Sequence, residues 1–246
     1  SSCNGYFCHV MRTILENPEY GSTEEAYNHW REVVMSFGFG HRLESAFPSE
    51  LSGNIPSAEF YNKRYRKGHW RFPTIVSLSI GQGEILTTPL QIANLAAIMA
   101  NRGYYYIPHV VKASERVEID PKYYEKHYTM VDSTHFPKMV KGMWKAVNTF
   151  GDGATANVAH VPGLDICGKT GTAQNPHGKD NSVFICFAPM DNPKIAVAAY
   201  IENAGSGASW ASPIASLLVE KYLRGEISPE RKELEARVLR TKLIRQ

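Results

Sequence analysis

Apolar positions in the first half of the chain recur at helical spacing. Phe7, Val10, Met11, Ile14 and Leu15 fall on one face of a helix expected to start near Ser2 or Asn4, both suitable N-cap residues. Ser22 and Glu25 have capping-box spacing ahead of Ala26, Trp30, Val33, Val34 and Phe37, which predicts a second helix stopped by the glycines of FGFG. From Gly40 to Phe72 periodic apolar positions are few and Pro and Gly punctuate the chain, so this segment reads as loop-rich. Thr88 then caps a third helix with Pro89 in its first turn. It is apolar nearly all round from Leu90 to Met99, ends at Gly103, and is expected to be central. Ile107 to Tyr128 carries a mixed pattern that predicts no element. A fourth helix puts Met139, Val140, Met143, Trp144 and Val147 on one face, with GDG after it.

Beyond Val161 the period changes. Ile166 to Gln174, Ser182 to Ala188 and Ile195 to Glu202 are strand-like, and the links NPHGKD and PMDNP are short enough for antiparallel neighbours. A helix from about Trp210 to Leu223 spaces Ile214, Leu217, Leu218 and Tyr222 to lie against that sheet. The charged tail from Pro229 has Leu234, Val238, Leu239 and Leu243 as an apolar stripe and is expected to be helical, docking loosely or fraying. Helices, then antiparallel strands, then a helix laid back on the sheet make an α+β arrangement. No internal repeat or low-complexity segment interrupts it.

Composition narrows the function. A chain of 246 residues with 43% hydrophobic content can bury a substantial core in one or two domains. With 27 basic and 24 acidic residues dispersed along it, nucleic acid is not an expected partner. The densest basic run, KRYRKGHWR from Lys63 to Arg71, reads as a solvated loop before it reads as a membrane or polymer contact. Cys3, Cys8, Cys167 and Cys186 lack metal-ligand spacing, so no zinc site and no cofactor are expected. Their even number allows disulfides and buried free thiols equally, which leaves the redox compartment open. No run has the length of a membrane-spanning helix.

Gly163 to Thr170 fits the phosphate-loop pattern G-x-x-x-x-G-K-[ST] letter for letter. A phosphate loop needs a buried strand before it and a helix N-terminus after it. Here ATANVAHVP precedes the glycine and GTAQNP follows the threonine, so neither flank fits and a strand bearing Lys169 and Thr170 is predicted instead. A lysine on such a strand favours binding of a C-terminal carboxylate. Thr170 and Thr172 add hydroxyl donors, and Gly171 lets a peptide run close to the backbone. Taken alone, KTG suggests a surface lysine, Ser2 and Asn4 suggest helix caps, and Gly81 to Gly83 suggests a turn. Cys3 and Cys167 read as packing residues, and His177 as an exposed hairpin tip.

Together these stretches carry more. Ser2-Cys3-Asn4 and Lys169-Thr170-Gly171 resemble the S-x-N and K-T-G signatures of penicillin-recognising serine enzymes. SSCNGYF, SIGQGEILTTPLQIANLAAIMANRG, GKTGTAQ and IENAGSGASWASPIASLLVEKYL each resemble segments of class B penicillin-binding proteins, in matching order from Ser1 to Leu223, and S-I-G-Q-G most resembles the elongation type. The resemblance implies a β-lactamase/transpeptidase-like fold over residues 1–225, incomplete at its N-terminus, with 226–246 as the tail. It implies a D,D-transpeptidase that cross-links peptidoglycan stem peptides ending in D-Ala-D-Ala through an acyl-serine and that is inhibited by β-lactams. It further implies a parent anchored at the extracytoplasmic face of the cytoplasmic membrane beside the elongation machinery. In the family's terms, Ser2 passes a proton to the leaving amine and Asn4 orients the substrate amide. Lys169, Thr170, Gly171 and Thr172 bind the substrate, with Thr172 offering its N–H to the oxyanion. The alternatives are a septation-type relative, a β-lactamase or sensor domain, and a non-catalytic scaffold. The family's nucleophile lies in S-x-x-K, and no serine here has lysine three positions later. That motif is expected upstream of this sequence, which would then be a fragment inactive by itself.

Overall fold

The computed structural model describes residues 2–112, 118–151 and 154–243. They divide into two compact units. One holds 2–91 and 104–131, and the other holds 92–103 with 132 onward.

The first unit contains α1 (Asn4–Leu15), α2 (Thr23–Met35), α3 (Ala58–Tyr65), α4 (Phe72–Ile75) and the start of α5 (Pro89–Asn101). A two-stranded ribbon, β1 (Tyr104–Tyr105) with β2 (His127–Tyr128), completes it. Met11 and Leu15 of α1, Ala26 and Tyr27 of α2, Tyr61, Trp70, Ile75 and Leu78 form its core. The polar ends of the buried aromatics are met, as burial of Tyr and Trp requires. Tyr27 Oη donates to the Pro56 carbonyl at 2.8 Å, and Trp70 Nε1 donates to Asn62 Oδ1 at 2.8 Å. The expected cap of α2 forms, with Ser22 Oγ accepting from Glu25 N at 3.2 Å. Thr88 and Gln91 make a reciprocal cap at the head of α5. The Gln91 side chain then reaches inward to donate to the carbonyls of His41 and Ser52.

Two expectations for this unit, the cap of α1 and the buried face of α2, are corrected, and two segments read without an element acquire one. Neither Ser2 nor Asn4 caps α1: Cys3 occupies the N-cap position with no side-chain bond, and Asn4 is already helical. The loop-rich stretch contains α3, whose N-cap Ser57 accepts from Phe60 N at 3.2 Å. Its eight residues bury only Ala58 and Tyr61, too few positions to leave a periodic signature. In α2 the fully buried positions are Ala26 and Tyr27, while Trp30, Val33 and Val34 are half-buried and Phe37 lies beyond the helix end at Met35. The segment with no predicted element supplies β2, whose two residues are too short to alternate.

The second unit is a helix, sheet, helix sandwich. Its sheet has the order β3 (Cys167–Ala173), β4 (Asn181–Ala188), β5 (Ile195–Ile201), antiparallel throughout, each strand within one residue of its predicted span. Alternation along β4 divides the core. Phe184, Cys186 and Ala188 join Ala199 under α7 (Ala211–Arg224), whereas Phe187 and Ile185 meet Val140 and Met143 of α6 (Phe136–Asn148) and Met99 and Ala100 of α5. In α6 Met139 is exposed and Phe136 and Ala146 are buried in its place. Of the expected GDG stop, Asp152 and Gly153 lie outside the described residues.

The face of α7 is also corrected. Ala211, Ala215 and Val219 face the sheet, while Leu218 and Tyr222 are exposed at 53% and 64%. Small residues let the helix backbone approach the sheet, so bulk on the other side of α7 was the wrong guide. Ile214, Leu217 and Leu218 line a groove shared with Val238 and Leu239 of α8 (Lys232–Arg240), the helix expected in the tail.

That tail is clamped rather than loose. Glu220 is fully buried, and its carboxylate accepts from Arg231 Nη1 at 2.9 Å, Arg224 Nη1 at 3.1 Å and Ser228 N at 3.2 Å. Arg231 Nη2 also donates to Ser216 Oγ at 2.6 Å. Burial alone would raise the Glu220 pKa, but the bonds from Ser228 and Arg231 outweigh it and hold the carboxyl below its ordinary range.

Candidate active site

The predicted chemistry sits on two unlike supports. Ser2 and Asn4 belong to the first unit, where both are exposed and Asn4 opens α1. Lys169, Thr170, Gly171 and Thr172 belong to the second unit and lie in the middle of β3. No helix follows Thr170, so the phosphate-loop match stays a coincidence of letters.

β3 forms because its inner residues suit an edge position. Cys167 and Gly168 are buried, and a Cβ on Gly168 would collide with the Phe184 ring, so only glycine lets that ring pack against the strand. Among the described residues β3 is the terminal strand of its sheet. Register pairs Lys169 with Ile185 and Gly171 with Val183, and pairs Thr170 with Phe184 and Thr172 with Ser182. Directly paired residues share a face, so Lys169 rises on the α6 side and the two threonines on the α7 side. A single ligand meets all three only along the open edge of the strand, where backbone N–H and C=O groups also point outward.

Lys169 is half-buried, and its Nζ donates to the Thr170 carbonyl at 2.7 Å. Burial lowers its pKa from the usual lysine range. The amine is thus tethered to its own strand and partly stripped of water, a state in which a bound carboxylate regains what desolvation took away. Among the described residues no group of His, Cys, Asp and Glu is placed to hold a metal. The four cysteines are free. Burial pushes the thiols of Cys167 and Cys186 up to about 12, which makes them packing groups rather than nucleophiles. His177 is exposed between β3 and β4.

The sequence reading missed what supports β3 from behind. Ser182 is buried opposite Thr172, and its hydroxyl donates to the Ser206 carbonyl at 2.7 Å and accepts from Ala211 N at 3.1 Å. Gly207 is buried close against the Gly171 backbone. The stretch GSGAS, two glycines among small hydroxyl residues ahead of a helix, was the available sign of such close packing.

Residues 1–220 match the family described as the penicillin binding protein transpeptidase domain. The chain is similar to the peptidoglycan D,D-transpeptidase MrdA of Haemophilus influenzae, 33% identical over 242 residues that cover 87% of this chain and 36% of that protein. The protein of the same name from Acinetobacter baumannii is 34% identical over 238 residues, covering 87% and 32%. The chain therefore spans about a third of the length of the curated relatives it matches. A crystal structure of Pseudomonas aeruginosa penicillin-binding protein 2 in complex with WCK 5153 superposes with a TM-score of 0.73 at 29% identity, covering 92% of this chain and 49% of that one. Penicillin-binding protein 2 of Helicobacter pylori, solved in complex with MreC, gives 0.66 at 25% identity, covering 90% and 38%.

Proposed function

Because the chain belongs to the penicillin binding protein transpeptidase domain family, we propose that it is the K-T-G-bearing part of a peptidoglycan D,D-transpeptidase of the elongation type. Residues 1–225 form the transpeptidase portion. The parent binds a stem peptide ending in D-Ala-D-Ala, a serine hydroxyl attacks the penultimate carbonyl carbon, and D-alanine leaves with a proton. An amine of a neighbouring strand then takes the acyl group and frees the serine. A β-lactam stops the cycle by acylating the same serine. The observation that carries this reading is a half-buried lysine followed by Thr-Gly-Thr on the terminal strand of an antiparallel sheet.

Each residue has a task that follows from its type. The ammonium of Lys169 draws the terminal carboxylate to β3, and the hydroxyls of Thr170 and Thr172 donate to it along the strand edge. Without a side chain at Gly171, the peptide approaches the strand, and the Thr172 N–H meets the developing oxyanion. Ser2 hands a proton to the departing amine and Asn4 orients the substrate amide. None of the serines here stands in S-x-x-K, so the attacking serine is supplied by another part of the parent. Among the described residues no helix is long and apolar enough to cross a membrane. The parent is held at the outer face of the cytoplasmic membrane by other sequence and works beside elongation proteins such as the MreC bound by the Helicobacter pylori relative. No cofactor and no nucleic acid take part.

Fluorescent penicillin tests the reading. The full-length parent is expected to become covalently labelled and the 246-residue chain alone to stay unlabelled. An unlabelled parent would sink the proposal, and a labelled chain would show that the nucleophile lies within it.

A further inference from the structure

The turn between β5 and α7 is gripped from two sides. On the sheet side a Cβ at Gly207 would collide with the Val183 carbonyl and stand 2.6 Å from the Gly171 carbonyl oxygen, so only glycine lets the turn lie on the backbone of β3 and β4. Ser182 Oγ ties down the Ser206 carbonyl and the Ala211 N–H, and Ser212 Oγ donates to the Gly207 carbonyl at 2.9 Å. On the tail side Arg237 of α8 donates from Nη2 to the Ser209 carbonyl at 3.1 Å, and its guanidinium lies 4.5 Å from the centroid of the Trp210 ring. The base of α8 is itself fixed to α7 through Arg231 and Glu220.

These contacts form an unbroken path from the C-terminal tail to the strand that carries Lys169. We propose that Arg237 is a positioning residue: through Ser209 and Trp210 it presses the Ser206 to Trp210 turn onto Gly171 and so holds the Gly171-Thr172 backbone in the geometry acylation needs. A tail that only covered the apolar groove on α7 would not aim a guanidinium at a turn carbonyl and an indole. Arg237 is exposed, so its contacts act locally and contribute little to global stability. The catalytic consequence rests on the reading of β3 as the substrate-binding strand, whereas the mechanical link does not.

In the full-length parent, Arg237→Ala is expected to slow acylation by penicillin roughly threefold to tenfold, the scale of one exposed cation–π contact with a solvent-screened hydrogen bond adding little. The loss falls on the acylation step and leaves the initial binding constant and the thermal midpoint near wild type. Hydrogen exchange is expected to quicken in peptides spanning 168–173 and 203–212. Arg237→Lys, which keeps the charge over Trp210 but loses the planar fork, should recover part of the rate. The control is Lys232→Ala on the same helix, whose amine pairs with Glu235 at 2.8 Å. Wild-type exchange at 168–173 in Arg237→Ala would overturn the inference, as would an equal slowing by Lys232→Ala. If the wild-type parent is not acylated at all, the proposed function fails and the exchange measurement alone decides the link.

Discussion

Replacing Lys169 by alanine in the full-length parent is expected to slow β-lactam acylation by about 100-fold, the scale of one charged hydrogen bond to the substrate carboxylate and of the misplacement its loss allows. The amine sits on the terminal strand, tethered to the Thr170 carbonyl at 2.7 Å and half-buried. A methyl group in its place removes the cation without disturbing the strand, because β3 is held by its pairing with β4 and by Phe184 over Gly168. Lys169→Arg is expected to rescue poorly, since a guanidinium is wider and delivers its charge through a planar fork. The pH profile carries the same signature. Burial lowers the Lys169 pKa, so its ammonium is lost as pH rises through a value below the ordinary lysine range. Acylation should therefore fall on the alkaline side earlier than for an exposed lysine, and the Lys169→Ala enzyme should lack that limb. Stopped-flow acylation with a chromogenic cephalosporin reads both, and a variant within threefold of wild type would remove Lys169 from the chemistry.

Glu220→Ala is expected to be the most damaging change to the fold among those considered, costing about 3 kcal/mol or more. It strands the buried Arg231 without its carboxylate and frees Arg224 and Ser228 N, which the same carboxylate ties down. Calorimetry on the parent should show the transition of this domain fall by about 10 °C, at the few degrees per kcal/mol usual for domains of this size. The sign of the pH effect follows from the direction of the shift. The folded carboxyl lies below its ordinary pKa, so its contribution is present above the ordinary glutamate range and disappears as pH falls through the depressed value. Glu220→Ala should flatten that acid limb. A double change to Leu at 220 and Met at 231 should regain much of the lost stability, because two apolar groups leave no buried charge unpaired. An unchanged transition in Glu220→Ala would show that the tail is not clamped through this residue.

What the sequence disclosed depended on how local the physics was. β3, β4 and β5 were visible because each is a run of seven or eight residues bounded by turn chemistry such as NPHGKD and PMDNP. The Thr88 and Ser22 caps were visible because a cap is a relation between residues three apart. The orientation of α7 was not, since its sheet face is made of Ala211 and Ala215 while larger residues turn toward α8 and solvent. α3 and the β1–β2 ribbon were missed because two buried residues, or two paired ones, leave no period to detect. The same limit hid the clamp on the tail: the partners of Glu220 stand four, eight and eleven residues away, and only burial separates them from an ordinary surface pair. The candidate site was legible in another way. KTGT is commonplace by itself, and its meaning came from its place in an ordered set of motifs, whereas the support of β3 by Ser182, Gly207 and Arg237 is a matter of packing between distant segments.

The central proposal is that Ser2 and Lys169 act as one unit in the acyl-transfer reaction of the parent, and a double-mutant cycle on the parent measures it most directly. Acylation rates would be determined for wild type, Ser2→Ala, Lys169→Ala and the double variant under one set of conditions. If Ser2 and Lys169 work as one unit their losses are strongly non-additive, so on this account the double variant is predicted to be scarcely slower than Lys169→Ala. Rate losses that multiply, as they do for groups that act independently, would contradict the account.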